Sequence, residues 1–92
     1  MTTYKFNKPY EFEENKYESI EFDLEGLTGH DISEVKKTFA ATGTYVPVPA
    51  LDSDFCAAIL ARAIKQPLEF FTKMPAKDYM ALTQQVSSFL LT

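Results

Sequence analysis

Between residues 4 and 25 the large apolar side chains fall on even positions. Tyr4, Phe6, Tyr10 and Phe12 are separated by Lys5, Asn7, Glu11 and Glu13, and Ile20, Phe22 and Leu24 alternate with Glu21, Asp23 and Glu25. A period of two is the mark of a half-buried strand. The two runs predict an antiparallel hairpin over 4–25, turning at Glu14-Asn15, where Asn tolerates left-handed backbone angles. Pro9 has no amide hydrogen, so it puts the first strand at a sheet edge or breaks it ahead of Tyr10. Two strands alone are marginal in water, and the apolar face of the pair must therefore lie on helices.

The period changes at Gly26-Leu27-Thr28-Gly29. Thr28 followed by Asp31 fits a capping box, and Ile32, Val35 and Phe39 then recur at helical spacing, which predicts a helix over 29–41 that stops at Gly43. The 43–51 segment contains Pro47-Val48-Pro49 and cannot be helical, because each proline pushes its predecessor into extended geometry; it is an ordered arm or a mobile loop. A helical part follows over 53–91. Asp52 and Ser53 are both suitable caps for a helix carrying Phe55, Ile59, Leu60, Ala63 and Ile64, which Pro67 ends. A short turn of helix holds Phe70 and Phe71, and Pro75 opens a last helix with the stripe Tyr79, Leu82, Val86, Phe89 and Leu90. The expected architecture is one α+β domain spanning 1–92, a hairpin packed on about four helices, the third short.

At 92 residues the chain buries only about two thirds or less of its unfolded surface. A composition with 46% hydrophobic residues and 14% aromatics is generous for so small an interior, which points to apolar surface reserved for a partner. Phe70 and Phe71 diverge by about 100° on a helix, so a small core is expected to have difficulty burying both. Met80 and Leu91 lie off the main stripe, and Phe89, Leu90 and Leu91 crowd the final turn. Phe71, Met80, Phe89 and Leu91 are accordingly the candidate partner-binding residues, Met and Phe on helical surface being suited to holding apolar segments of other chains.

The net charge is −4, which gives no basic field for nucleic acid or anionic lipid. Residues 11–34 hold nine acids against Lys16 alone, a local charge of −8 that leaves +4 on the rest. Such a dipolar chain either solvates one face with its acids or uses them to meet a basic partner or the more basic part of another copy. One cysteine, Cys56, excludes an internal disulfide, and no segment reads as a signal peptide or a membrane span, so the expected setting is a cytoplasm.

Chemistry is sparse. His30 and Cys56 are single, too few for a zinc site of the usual ligands. The acids alternate along strands and do not crowd a calcium loop. Phosphate-cradling loops and nucleophile elbows are missing. No catalytic, cofactor-binding or metal residues are therefore assigned, and the expected class is a non-enzymatic binding protein.

The order of features resembles one family. Lys8-Pro9-Tyr10-Glu11-Phe12-Glu13-Glu14-Asn15-Lys16-Tyr17-Glu18-Ser19-Ile20 is similar to the opening hairpin of the tail assembly chaperones of tailed bacteriophages and prophages. Leu27-Thr28-Gly29-His30-Asp31 is similar to their "Leu-Thr-Gly-x-Asp" helix start, and the Leu60-Ala61-Arg62-Ala63 helix follows in the same order. Met74-Pro75-Ala76-Lys77-Asp78-Tyr79, with Val86 and Phe89-Leu90, is similar to their ending. The likeness covers about residues 8–91 and rests on order and spacing, with Asn15 where Gly is commoner and Met74 where Leu is usual. It implies a chaperone that coats the long, aggregation-prone tape measure protein and brings tail tube subunits to it. Such a protein acts in the host bacterial cytoplasm and leaves before the virion is complete; many members also have a longer, frameshifted form. Two other readings remain open: a small acidic adaptor using Pro47-Val48-Pro49 to bind one folded partner, and an enzyme subunit that lends His30 to another chain.

Overall fold

The computed structural model describes residues 2–41, 43 and 52–91. The 43–51 segment, with Pro47-Val48-Pro49, lies outside them apart from Gly43. The chain is a compact α+β domain. Strands β1 (Thr2–Phe12) and β2 (Asn15–Phe22) form an antiparallel hairpin, and four helices follow: α1 (Gly29–Ala41), α2 (Ser53–Ile64), the single turn α3 (Glu69–Thr72) and α4 (Ala76–Leu91).

The even-numbered side chains of the hairpin face inward. Phe6, Tyr10, Phe12, Ile20 and Phe22 are buried, as is Leu24 just past β2, and Tyr4 is half-buried. The turn is one residue earlier than predicted. Glu13 and Glu14 occupy it at φ 48° and 67°, while Asn15 already pairs with Phe12. Two successive residues with positive φ are what a two-residue hairpin turn of matching twist requires. Closing the ladder on Phe12 keeps that ring on the buried face, and this outweighs the preference of Asn for the left-handed position.

Pairing is interrupted at Pro9. Lys5 pairs with Ser19 and Tyr10 with Tyr17, so four residues of β1, Phe6 to Pro9, stand opposite Glu18 alone. Of the two options Pro9 allowed, a break ahead of Tyr10 is realised, at a place where no ladder donor is needed. The bulge keeps Phe6 and Tyr10 on the same side, their ring centroids 5.5 Å apart.

α1 begins as predicted at Thr28. The Asp31 carboxylate accepts from the Thr28 amide at 2.9 Å and from its hydroxyl at 3.3 Å, and Gly43 lies beyond the end at φ 79°. The hydroxyl is thus spent on the acid, so the carboxylate side of the capping box supplies the amide bond. α1 buries only Val35. Its hold on α2 comes from the Phe39 and Phe55 rings, with centroids 5.5 Å apart, and from Arg62 donating to Asp31 at 2.7 Å.

α2 is the central element. Asp52 caps it by accepting from the Phe55 amide at 2.9 Å, and it ends at Lys65, which adopts the left-handed conformation before Pro67. Phe55, Cys56, Ala57, Ile59, Leu60 and Ala61 are all buried.

Phe70 and Phe71 are both completely buried, contrary to expectation. Glu69 and Thr72 of α3 are exposed, while the two divergent directions taken by Phe70 and Phe71 are both interior. Phe70 makes edge-on contacts with Tyr10, Phe12 and Tyr17 of the hairpin at 5.3, 5.2 and 5.1 Å between centroids, a favoured aromatic geometry. The Tyr10 hydroxyl donates to the Phe70 carbonyl at 2.7 Å. Phe71 belongs to the same core, and burial of each ring contributes about 1.5–3 kcal/mol.

Candidate functional site

The first turn of α4 is fastened on two sides. The Tyr4 hydroxyl donates to Asp78, which is almost wholly buried, and the Tyr79 hydroxyl donates to Asp54 of α2 at 2.6 Å. Burial first, and the adjoining carboxylate second, push both phenols up to about 12, so they remain neutral donors at physiological pH. From this anchorage α4 runs with Leu82, Thr83 and Val86 buried and Tyr79 and Leu90 half-buried.

Its other side faces outward. Met80 is 49% exposed, Phe89 37% and Leu91 61%. Phe89 was expected both in the core stripe and on the surface; it sits at the edge of the stripe. Between Tyr79 and Leu91 the sequence has no charged residue, so the outward positions are filled by Ala81, Gln84, Gln85 and Ser88 besides the apolar three. Interface cores are depleted of charge and enriched in Met and aromatic residues. A groove of about 600 Å³ runs beside this face, lined by Thr2, Leu24, Ala81, Gln84, Gln85, Ser88 and Phe89. Three of the four candidate partner-binding residues, Met80, Phe89 and Leu91, are therefore at the surface of one helix. Phe71 is not: its burial in the core removes it from any docking surface that leaves the fold intact.

The groove residues Thr2, Leu24, Gln84, Gln85 and Ser88 were not foreseen. The signal for those on α4 lay in the charge-free run 79–91 of an otherwise well-charged chain. Leu68, 36% exposed, was also missed. It borders a smaller recess of about 190 Å³ between α1 and α2, with Phe39, Ala58 and Ala61 along its walls and Glu34 and Arg62 at its edge.

His30 is exposed and lies 3.9 Å from Glu34 across one helical turn. Asp31, the adjacent carboxylate, is committed to Thr28 and Arg62. The Arg62 hydrogen bond, followed by that from the Thr28 amide, holds the Asp31 carboxyl below its ordinary 3.8. Cys56 is buried in α2, where burial pushes its thiol up to about 11, a poor setting for a nucleophile. Among the described residues no three His, Cys, Asp or Glu side chains converge as a metal site, and no helix is long and apolar enough to cross a membrane.

No protein-family model, curated protein or solved structure matches this chain.

Proposed function

We propose that the protein is a tail assembly chaperone of a tailed phage or prophage, which binds helical, apolar stretches of the tape measure protein, keeps them soluble and helps bring tail tube subunits to them. One observation carries the reading: α4 is anchored at its first turn and turns outward a face without charge that ends in exposed Phe89 beside the groove. An amphipathic client helix laid in such a groove buries its apolar side without stranding an ion. The order of motifs in the sequence supports the same class.

Co-expression with the tape measure protein of the same phage tests this. The wild-type chain should raise the soluble yield of the tape measure and co-purify with it, and Phe89→Lys should lose both effects while keeping its helical signature. An unchanged soluble yield together with no co-purification would sink the reading.

A further inference from the structure

α1 contributes less to the core than any other helix. Of its thirteen residues Val35 alone is buried, with Ile32 and Phe39 half-buried. α2, of nearly equal length, buries six residues, α4 buries four and even the single turn α3 buries two. Two ties join α1 to α2, one near each end. At the start Arg62 donates from Nε to Asp31 Oδ1 at 2.7 Å, and towards the end the Phe39 ring lies edge-on against Phe55. Between the ties the helices do not close on one another. The recess of about 190 Å³ opens there, with Glu34, Val35 and Thr38 on the α1 wall and Ala58 and Ala61 on the α2 wall.

The side chains of Arg62 and Asp31 are 40% and 23% exposed, a setting in which water and salt weaken an ion pair. Segments that open below the free energy of global unfolding are those with few buried apolar contacts. We infer that α1 is a flap: it leaves α2 as one unit while the hairpin, α2, α3 and α4 stay folded, and the Asp31–Arg62 bond is its latch. Thirteen residues are too few to remain helical alone in water, so opening and melting of α1 are a single event. Departure of the flap lifts the Phe39 ring from Phe55 and leaves Ala58, Ala61 and Leu68 facing water without a second wall. α1 thereby governs access to an apolar strip that shares no residue with the α4 groove, and the inference stands apart from the client reading.

Native-state hydrogen exchange of the whole chain, read amide by amide by NMR, tests this. The Val35 and Phe39 amides should exchange at least about a hundredfold faster than those of Leu60 and Val86, relative to their intrinsic rates. They should also share one denaturant dependence, shallower than that of global unfolding, because a small unit exposes little surface. Two variants separate the flap from the body. Arg62→Gln removes the latch but leaves Asp31 on the Thr28 amide, and it should speed exchange in α1 about tenfold. Tyr4→Phe cuts a tie that stays made when the flap opens, so it should speed Leu60 and Val86 about tenfold and leave Val35 and Phe39 unchanged. The wild type and Tyr4→Phe decide the matter even if Arg62→Gln fails to fold. Equal protection of α1 and α2, acceleration of α1 by Tyr4→Phe, or α1 amides with no denaturant dependence in common would overturn the flap; α1 rates unmoved by Arg62→Gln would overturn the latch.

Discussion

Asp78 and Tyr79 are neighbours at the start of α4, yet their side chains are tied to different elements: Asp78 accepts from Tyr4 of β1, and Tyr79 donates to Asp54 of α2. One turn of helix thereby fixes the position of α4 against the hairpin and against the central helix. The two ties differ in burial, which makes their consequences separable.

Tyr4→Phe should destabilise the fold more than Tyr79→Phe. The first leaves the carboxylate of Asp78, 2% exposed, without its hydroxyl donor, a loss of about 1–3 kcal/mol. The second releases Asp54 to water and should cost about 1 kcal/mol or less. Urea titrations of the two variants give the order directly, and equal midpoints would contradict it.

Alkaline pH should weaken the protein in a defined window. The phenols of Tyr4 and Tyr79 rise from 10.0 to about 12 on folding, so the folded state holds their protons more tightly than the unfolded chain does. Their contribution is complete below pH 10 and is lost as pH climbs through 12. Stability measured by denaturant titration should fall over that interval, and the Tyr4→Phe, Tyr79→Phe double variant should show a shallower decline. At the acid end Asp31 acts in the opposite sense. Its carboxyl is held below 3.8 by Arg62 and then by the Thr28 amide, so its contribution is present above that value and lost as pH drops beneath it. Arg62→Gln should reduce this acid sensitivity.

The hairpin turn can be improved. Glu13 and Glu14 both carry positive φ, a conformation that disfavours residues with a Cβ. Replacing the pair with Asn-Gly, the sequence best suited to such a turn, should raise stability by about 1 kcal/mol. Thermal unfolding checks this, and a lowered midpoint would show that the glutamates contribute something beyond their backbone geometry.

Phe70→Ala should be among the most damaging single changes. It empties the space between three rings of the hairpin and costs about 3–5 kcal/mol, a large share of the 5–15 kcal/mol that holds an ordinary domain together. Phe71→Ala should fall in the same range. Loss of client binding by either variant would accompany loss of fold, whereas Phe89→Lys should affect binding alone; circular dichroism separates the cases.

The parts of the fold legible in the sequence are those governed by local pattern. Even-numbered Phe6, Tyr10, Phe12, Ile20 and Phe22 declared the buried face of the hairpin, Thr28 with Asp31 marked the start of α1, and Pro9 marked the interruption of β1. What eluded the pattern depended on surroundings. Nothing in the run Glu69–Thr72 reveals that the turn lies between the hairpin and α2, so the burial of both Phe70 and Phe71 could not be read from their divergence. The turn position was set by the ladder closing on Phe12, not by the preference of Asn15. On α4 the stripe identified Leu82 and Val86, but Phe89 at its edge belonged to the outer side. Leu24 and Thr2, which complete the groove, come from a distant part of the chain and share no periodicity with α4.

The bulge at Phe6–Pro9 also bears on how the hairpin behaves in a crowded solution. A sheet of two strands leaves the outer edge of each strand unpaired, and an open edge is a template on which other extended chains can add. β1 interrupts that template at Pro9, which has no hydrogen to donate, and its exposed neighbours Asn7 and Lys8 are polar. β2 sets Lys16, Glu18 and Glu21 along its exposed positions. The irregularity that disturbs the ladder therefore works against the recruitment of a third strand, and with it against the sheet seeding fibrils.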